Sequence, residues 1–213
     1  MLPKKKRSIE SLFSFLGEIL MIILASRSPR RQVLLKQLGL RHRVHPSKVE
    51  ERMDPARSPR DNAKRIALEK AMDVARHYTK GVVVGADTIV VAGKKVLGKP
   101  ANSAEARKML RSLSGREHIV YTGFALVDAD SRKRVVAVER TRVRFRILGA
   151  REIDEYVKSG SPMDKAGAYG IQDDWGAVFV EKVNGCFYNV VGFPISKFYM
   201  VYRQFMSEIQ KNH

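Results

Sequence analysis

Short, uninterrupted apolar runs alternate along this chain with longer stretches in which apolar residues return every three or four positions. The runs "MIILAS" (21–26) and "GVVVGAD" (81–87) read as buried strands, the second ending on a carboxylate. "SPRRQVLLKQLGL" follows the first run with helical spacing at Val33, Leu34 and Leu38. Ser28 suits the N-cap, Pro29 the first helical position and Gly39 the stop. A second Ser-Pro pair, Ser58-Pro59, opens a longer helix to about Tyr78, with an apolar stripe of Ala63, Ile66, Ala67, Ala71 and Val74. Between them, "RHRVHPSKVEERMDP" reads as a short strand followed by an acidic loop.

The rest of the chain continues the mixture. "TIVVAGKKVLGKP" predicts a hairpin turning at Gly93-Lys94, and "SAEARKMLRSLSG" a helix capped by Ser103 and ended by Gly115. Two long strands, "EHIVYTGFALVDA" and "KRVVAVERTRVRFRIL", join at about 129–132; the second alternates, so one face is solvated. "AREIDEYVKSG" predicts a helix and "SPMDKAGAYGIQ" a glycine-containing loop. "AVFVEKVNGCFYNVV" predicts a hairpin turning at Asn184-Gly185, and "FPISKFYMVYRQFMSEI" a closing helix. No repeat, low-complexity segment or flexible linker interrupts the series. The expected fold class is α/β: one mixed sheet wrapped by helices, with a cleft between two lobes.

Composition adds less than charge does. The 213 residues, 44% of them apolar, suffice for one ordinary domain. One cysteine, Cys186, excludes an internal disulfide and fits a reducing, cytoplasmic setting. The scattered histidines have no zinc-site spacing. The net charge of +18 draws polyanions, whether DNA, RNA, a membrane surface or nucleotides. The basic residues are spread along the chain, as on a solvated surface, so charge alone does not choose among these partners. "KKKR" at 4–7 and the apolar stretch after it superficially resemble a signal peptide. Glu10 and Glu18 interrupt that stretch, and no cleavage site follows, so residues 1–20 are expected to be an extension before a single catalytic domain at 21–213.

Several positions look chemical, each with a plain structural alternative. The turn "SRSPRR" offers helix N-terminal N–H groups, Ser26, Arg30 and Arg31 to a phosphate; otherwise it is a capped helix with solvated arginines. Arg27 is expected to face solvent. Glu50 and Glu51 in "VEE" could hold a hard cation or simply solvate a loop. Lys70 sits at the edge of an apolar stripe, where it either snorkels or finds an anion. Asp87 could bind a metal or take a proton from water, with Thr88 beside it to donate a hydrogen bond. Lys99 is held extended before Pro100. Lys165, Tyr169 and Gln172, on a loop with two glycines, could cover a base and sugar.

Taken together, "ILASRSPRRQVLLKQLG", "VEE", "ALEKA", "VVGADTIV", "LGKP", "PMDKAGAYGIQ" and "VVGFPIS" resemble the Maf family of nucleotide pyrophosphatases, in the family's order and from residue 21 to about 200. The resemblance implies an elongated two-lobed α/β fold and cleavage of a nucleoside triphosphate between the α and β phosphates. It implies a divalent cation, Mg2+ or Mn2+ with Co2+ an alternative, and a homodimer; it requires neither nucleic acid nor a membrane. It implies a catalytic proton acceptor at Asp87, with Glu50 or Glu51 as metal-site or water-activating acid. Ser26, Arg31, Lys70 and Lys99 match phosphate-contacting positions, and Arg30, Thr88 and Gln172 positions tied to substrate choice. The form "DKAGAYGIQ" resembles the branch acting on dTTP and UTP, with CTP or modified pyrimidine nucleotides as further candidate substrates, rather than the branch acting on 7-methyl-GTP. "DDWG" at 173–176 departs from the family's short glycine-containing turn and puts base recognition in question. A non-enzymatic nucleic-acid-binding protein is the rival reading, motivated by charge alone.

Overall fold

A computed structural model describes residues 21–211. The expected extension at 1–20 lies outside the described residues. Strand β1 (Ile22–Leu24) runs parallel to β2 (His42–Val44) on one side and to β3 (Val82–Ala92) on the other. Beyond β3 every pairing is antiparallel: β4 (Lys95–Leu97) folds back on its far end, and β5 (Glu117–Asp128), β6 (Arg134–Phe145) and β7 (Val180–Asn184) continue the sheet. The order β2-β1-β3-β5-β6-β7, with β4 against β3, makes one mixed sheet of seven strands.

The period of two along the strands divides the core. Ile22, Leu24, Val82, Val84, Phe124 and Leu126 face α1 (Pro29–Gln37), α3 (Ser103–Leu113), α4 (Ala150–Lys158) and α7 (Ile195–Gln210). Ile23, Val83, Ala125 and Val127 face α2 (Pro59–Ala75), whose Ala67, Ala71 and Val74 are buried as the stripe predicted. Helices therefore flank both faces, in keeping with the expected α/β class.

Several local expectations change. In α1, Val33 is 55% exposed and Leu35 is buried in its place. Helix α3 is capped by Asn102, whose side chain accepts from the Glu105 N–H, rather than by Ser103. The segment after Gly185 is not the second arm of a hairpin. Strand β7 pairs with β6, and Phe187–Val191 forms the short helix α6, after α5 (Asp174–Phe179). Buried Asn189 anchors that turn by donating to Val120 O and Thr141 Oγ1, contacts that a local turn signal does not encode. Asp87 also lies in mid-strand, not at a strand end. It is β1 that stops, at Leu24, while β3 runs on against β5 from Val82 to Val91.

Helix α2 approaches the sheet at backbone contact. A methyl group at Gly85 would lie 2.1 Å from Ala67 O, and one at Gly123 would lie 2.2 Å from Ala63 O. Gly85→Ala is therefore expected to cost about 3 kcal/mol, because backbone cannot yield as a side chain does. Gly98→Ala, where the methyl meets nothing within 4 Å, should change stability by less than about 0.5 kcal/mol. Chemical denaturation of the two variants checks the contrast.

Candidate active site

A groove of about 600 Å3 opens where β1 ends. Its wall includes the turn into α1, the acidic loop before α2, mid-β3, Lys99, and the loop from Asp164 to Gln172. Three independent anchors bring these pieces together.

The turn into α1 comes first. Ser28 caps the helix and accepts from the Arg31 N–H. Arg31 then folds inward and is buried. Its guanidinium donates to Gly192 O (3.0 Å), Ser26 Oγ (3.1 Å), Ala86 O (2.9 Å) and Thr88 Oγ1 (3.2 Å). All four acceptors are neutral, so among the described residues no carboxylate contacts this positive charge at the groove. Burial pushes its pKa down, while the charges of Asp87 and Glu51 oppose that shift. Ser26 Oγ accepts from both Arg31 and the Ser28 N–H, which leaves its proton to be donated.

The acidic loop is tied to α2 at both ends. Ser47 Oγ and the Lys48 N–H donate to Asp73, while Asp54 exchanges hydrogen bonds with the Asn62 amide. Between these ties, Glu51 reaches Lys70. The Lys70 ammonium donates to Glu51 Oε1 at 2.6 Å and to Asp87 Oδ1 at 2.8 Å, with Ala86 O at 3.4 Å. Lys99 approaches Glu51 Oε2 at 3.7 Å.

The two carboxylates respond in opposite directions. Burial raises Asp87 and outweighs Lys70 and Arg31, while the charge of Glu51 raises it further. Burial also raises Glu51, but Lys70, Lys99 and Arg31 together outweigh it, so its carboxyl falls below the usual range. Glu51 is thus the firmly ionised member and Asp87 the one poised to take a proton.

The facing loop forms a second polar cluster. Arg30 spans to it, donating to Asp164 Oδ2 at 2.8 Å. The Lys165 ammonium contacts Ser161 O (2.6 Å), Asp164 Oδ1 (2.7 Å) and Asp173 Oδ2 (2.8 Å). Lys165 therefore braces the loop rather than extending a free charge to a ligand. Gln172 lines the groove and donates from Nε2 to Asp173 Oδ1 at 2.8 Å. Behind this loop, buried His118 holds the Tyr169 hydroxyl through Nε2 at 2.7 Å.

The groove thus brings together Ser26, Arg30, Arg31, Glu51, Lys70, Asp87, Thr88, Lys99, Lys165 and Gln172 from the sequence-derived set. Glu50 is set apart. Its carboxylate is 71% exposed and pairs with Arg52 at 2.9 Å, off the groove wall. Arg27 is exposed, yet it lines the groove as well. Sequence reasoning missed Asp164, the partner of both Arg30 and Lys165. The signal available was a carboxylate directly beside Lys165 in a glycine-containing loop. It also missed the carbonyl of Gly192, which no residue pattern marks as an arginine acceptor.

Fold and groove together define an α/β protein built to hold a polyanion against a buried carboxylate. A family model described as Maf-like protein matches residues 21–205, and the chain belongs to that family. It is 47% identical over 188 residues to a dTTP/UTP pyrophosphatase of Desulforamulus reducens, covering 88% of this chain and 98% of that one. A dTTP/UTP pyrophosphatase of Syntrophomonas wolfei is 49% identical over 176 residues, 83% of this chain and 93% of its own. One of Bacillus mycoides is 47% identical over 188 residues, 88% and 97% of the respective chains.

Two outcomes follow from this geometry. Arg31→Lys keeps the charge but loses the fork that satisfies four acceptors, and should cost about 2 kcal/mol in denaturant unfolding. Burial pushes His118 down to about 4. The unfolded chain protonates that ring near pH 6.5, so between these values the unfolded state binds more protons. Stability should then fall as pH drops from about 6.5 to about 4, by up to about 3 kcal/mol from this group. His118→Gln should flatten that part of the Tm–pH profile.

Proposed function

We propose that this chain is a nucleoside triphosphate pyrophosphatase acting on dTTP and UTP, releasing the nucleoside monophosphate and pyrophosphate. One observation carries the reading: a buried guanidinium, Arg31, held by four neutral acceptors, shares the groove with a Glu51–Lys70–Asp87 chain whose two acids are driven apart in pKa. The named relatives support the nucleotide and the bond broken.

The residues also fit a hard divalent cation, Mg2+ or Mn2+. Glu51 and Asp87 already converge on one cation, the Lys70 ammonium. Among the described residues no group of three or more His, Cys, Asp or Glu side chains could hold a metal. Waters and phosphate oxygens would complete the shell, as is usual for Mg2+. Such an ion would neutralise phosphate charge and make water more acidic.

In this mechanism Arg31, Ser26, Lys70 and Lys99 hold the phosphates and align the α-phosphorus with a water. Asp87 accepts the water's proton as its oxygen bonds to that phosphorus. The bond to the α–β bridging oxygen breaks, and pyrophosphate leaves with its charge offset by the same cations. Glu51 stays ionised throughout and orients Lys70. Arg30, Thr88 and Gln172 contribute to base choice. Glu50, at the surface, has no part in the reaction.

The same reading takes the chain from residue 21 onward as one catalytic domain of a cytoplasmic homodimer. An unpaired Cys186 is in keeping with that location, and no described helix is long and apolar enough to cross a membrane.

Asp87→Asn should lower UTP turnover about a thousandfold with the fold retained; turnover near the parent's removes Asp87 from the mechanism. Phosphorus NMR of the parent reaction should show pyrophosphate. Orthophosphate with a nucleoside diphosphate would refute cleavage at the α–β bond, and preferential turnover of 7-methyl-GTP would refute the base assignment.

A further inference from the structure

Gln172 has two ways to present its amide, and they are chemically opposite. Turning the side chain over exchanges an acceptor for a donor at each end. The pyrimidines differ in the same sense. Uracil and thymine carry an N–H at position 3 between two carbonyls, whereas cytosine carries an acceptor there beside an amino group. An amide held in one orientation matches one of these edges in a given pose, and an amide free to turn matches both.

In this protein the amide is not free. Its Nε2 donates to Asp173 Oδ1 at 2.8 Å. A carboxylate only accepts, so turning the amide over would set two oxygens against each other. Asp173 is itself held, because its other oxygen takes the Lys165 ammonium at 2.8 Å. Lys165 is in turn fixed by Ser161 O and Asp164. The brace occupies one Nε2 hydrogen and leaves Oε1 and the second Nε2 hydrogen for another partner, on a side chain that lines the groove.

We propose that Asp173 is a specificity-positioning residue: it locks the Gln172 amide so that the groove accepts the imide edge of uracil or thymine and discriminates against cytosine. The proposal rests on the nucleoside triphosphate activity proposed above. It also gives the unusual "DDWG" stretch a chemical role.

The decisive variant is the near-isosteric Asp173→Asn. Lys165 has only donors, so it keeps the remaining oxygen of residue 173 and turns the new amino group toward Gln172. Gln172 must then present its oxygen to that group and offer its donors to the base. The ratio of kcat/KM for UTP to that for CTP, measured in the parent, Asp173→Asn, Gln172→Ala and the double variant, reads this directly. The parent should favour UTP, and Asp173→Asn should lower the ratio about tenfold or more with Tm nearly unchanged. In the Gln172→Ala background the same substitution should leave the ratio alone. Asp173→Ala, which frees the amide to turn, should also lower the ratio. A purely structural role predicts instead that Asp173→Asn keeps the parent ratio, or that both nucleotides lose equally; either result overturns the proposal. So does a parent ratio near one. A parent inactive on every nucleoside triphosphate overturns the underlying activity, and this inference with it.

Discussion

Helix α2 touches the sheet through backbone, and the rest of the groove is hung from that contact. Gly85 and Gly123 leave no side chain between helix and strands, and the helix answers with Ala63, Ala67 and Ala71. One turn of this helix therefore lies low enough for Lys70, beside Ala67 and Ala71, to reach Asp87 on β3. Asp73 and Asn62, on the same helix, fasten the loop that carries Glu51. A single close approach thus sets the positions of a lysine and two acids that are far apart in sequence.

The charges in the groove are held by protein before any ligand arrives. Arg31 is surrounded by neutral acceptors and Lys70 by two carboxylates, and Arg30 is tied across the groove to Asp164. Positioning of this kind removes the cost of ordering long side chains when a polyanion binds. The general excess of basic residues is a different matter. Most exposed pairs, such as Arg144 with Glu181 or Arg151 with Glu155, lie in solvent and contribute little to stability. Net charge sets the field that draws an anion in, and the few buried cations set where it stops.

Much of this was legible in the chain itself, wherever the information is local. The cap at Ser28, the apolar stripe of α2, and the continuous runs of β1 and β3 depend on neighbours within a few residues. Misreadings arose where a distant partner decided. "VNGCFYNVV" has the turn chemistry of a hairpin, but buried Asn189 finds its partners on β5 and β6 and winds that segment into a helix. Asp87 looked like a strand end because the apolar run ends there, yet β5 carries β3 onward. Adjacent Glu50 and Glu51 looked equivalent until the fold turned one toward Lys70 and the other to Arg52 at the surface.

The turn "SRSPRR" shows the division. Sequence alone determined that a buried strand passes there into a capped helix, since propensity, capping and hydrophobic run length are properties of contiguous residues. It also determined which residue types could serve a phosphate, and their order along the chain carries the family's pattern. Only the tertiary structure decided that Arg31 turns inward to Gly192 while Arg30 crosses to Asp164, because those acceptors lie more than a hundred residues away. The same holds for the pKa of Asp87: the residue type supplies a carboxyl, but burial and the cations packed around it decide when it is charged.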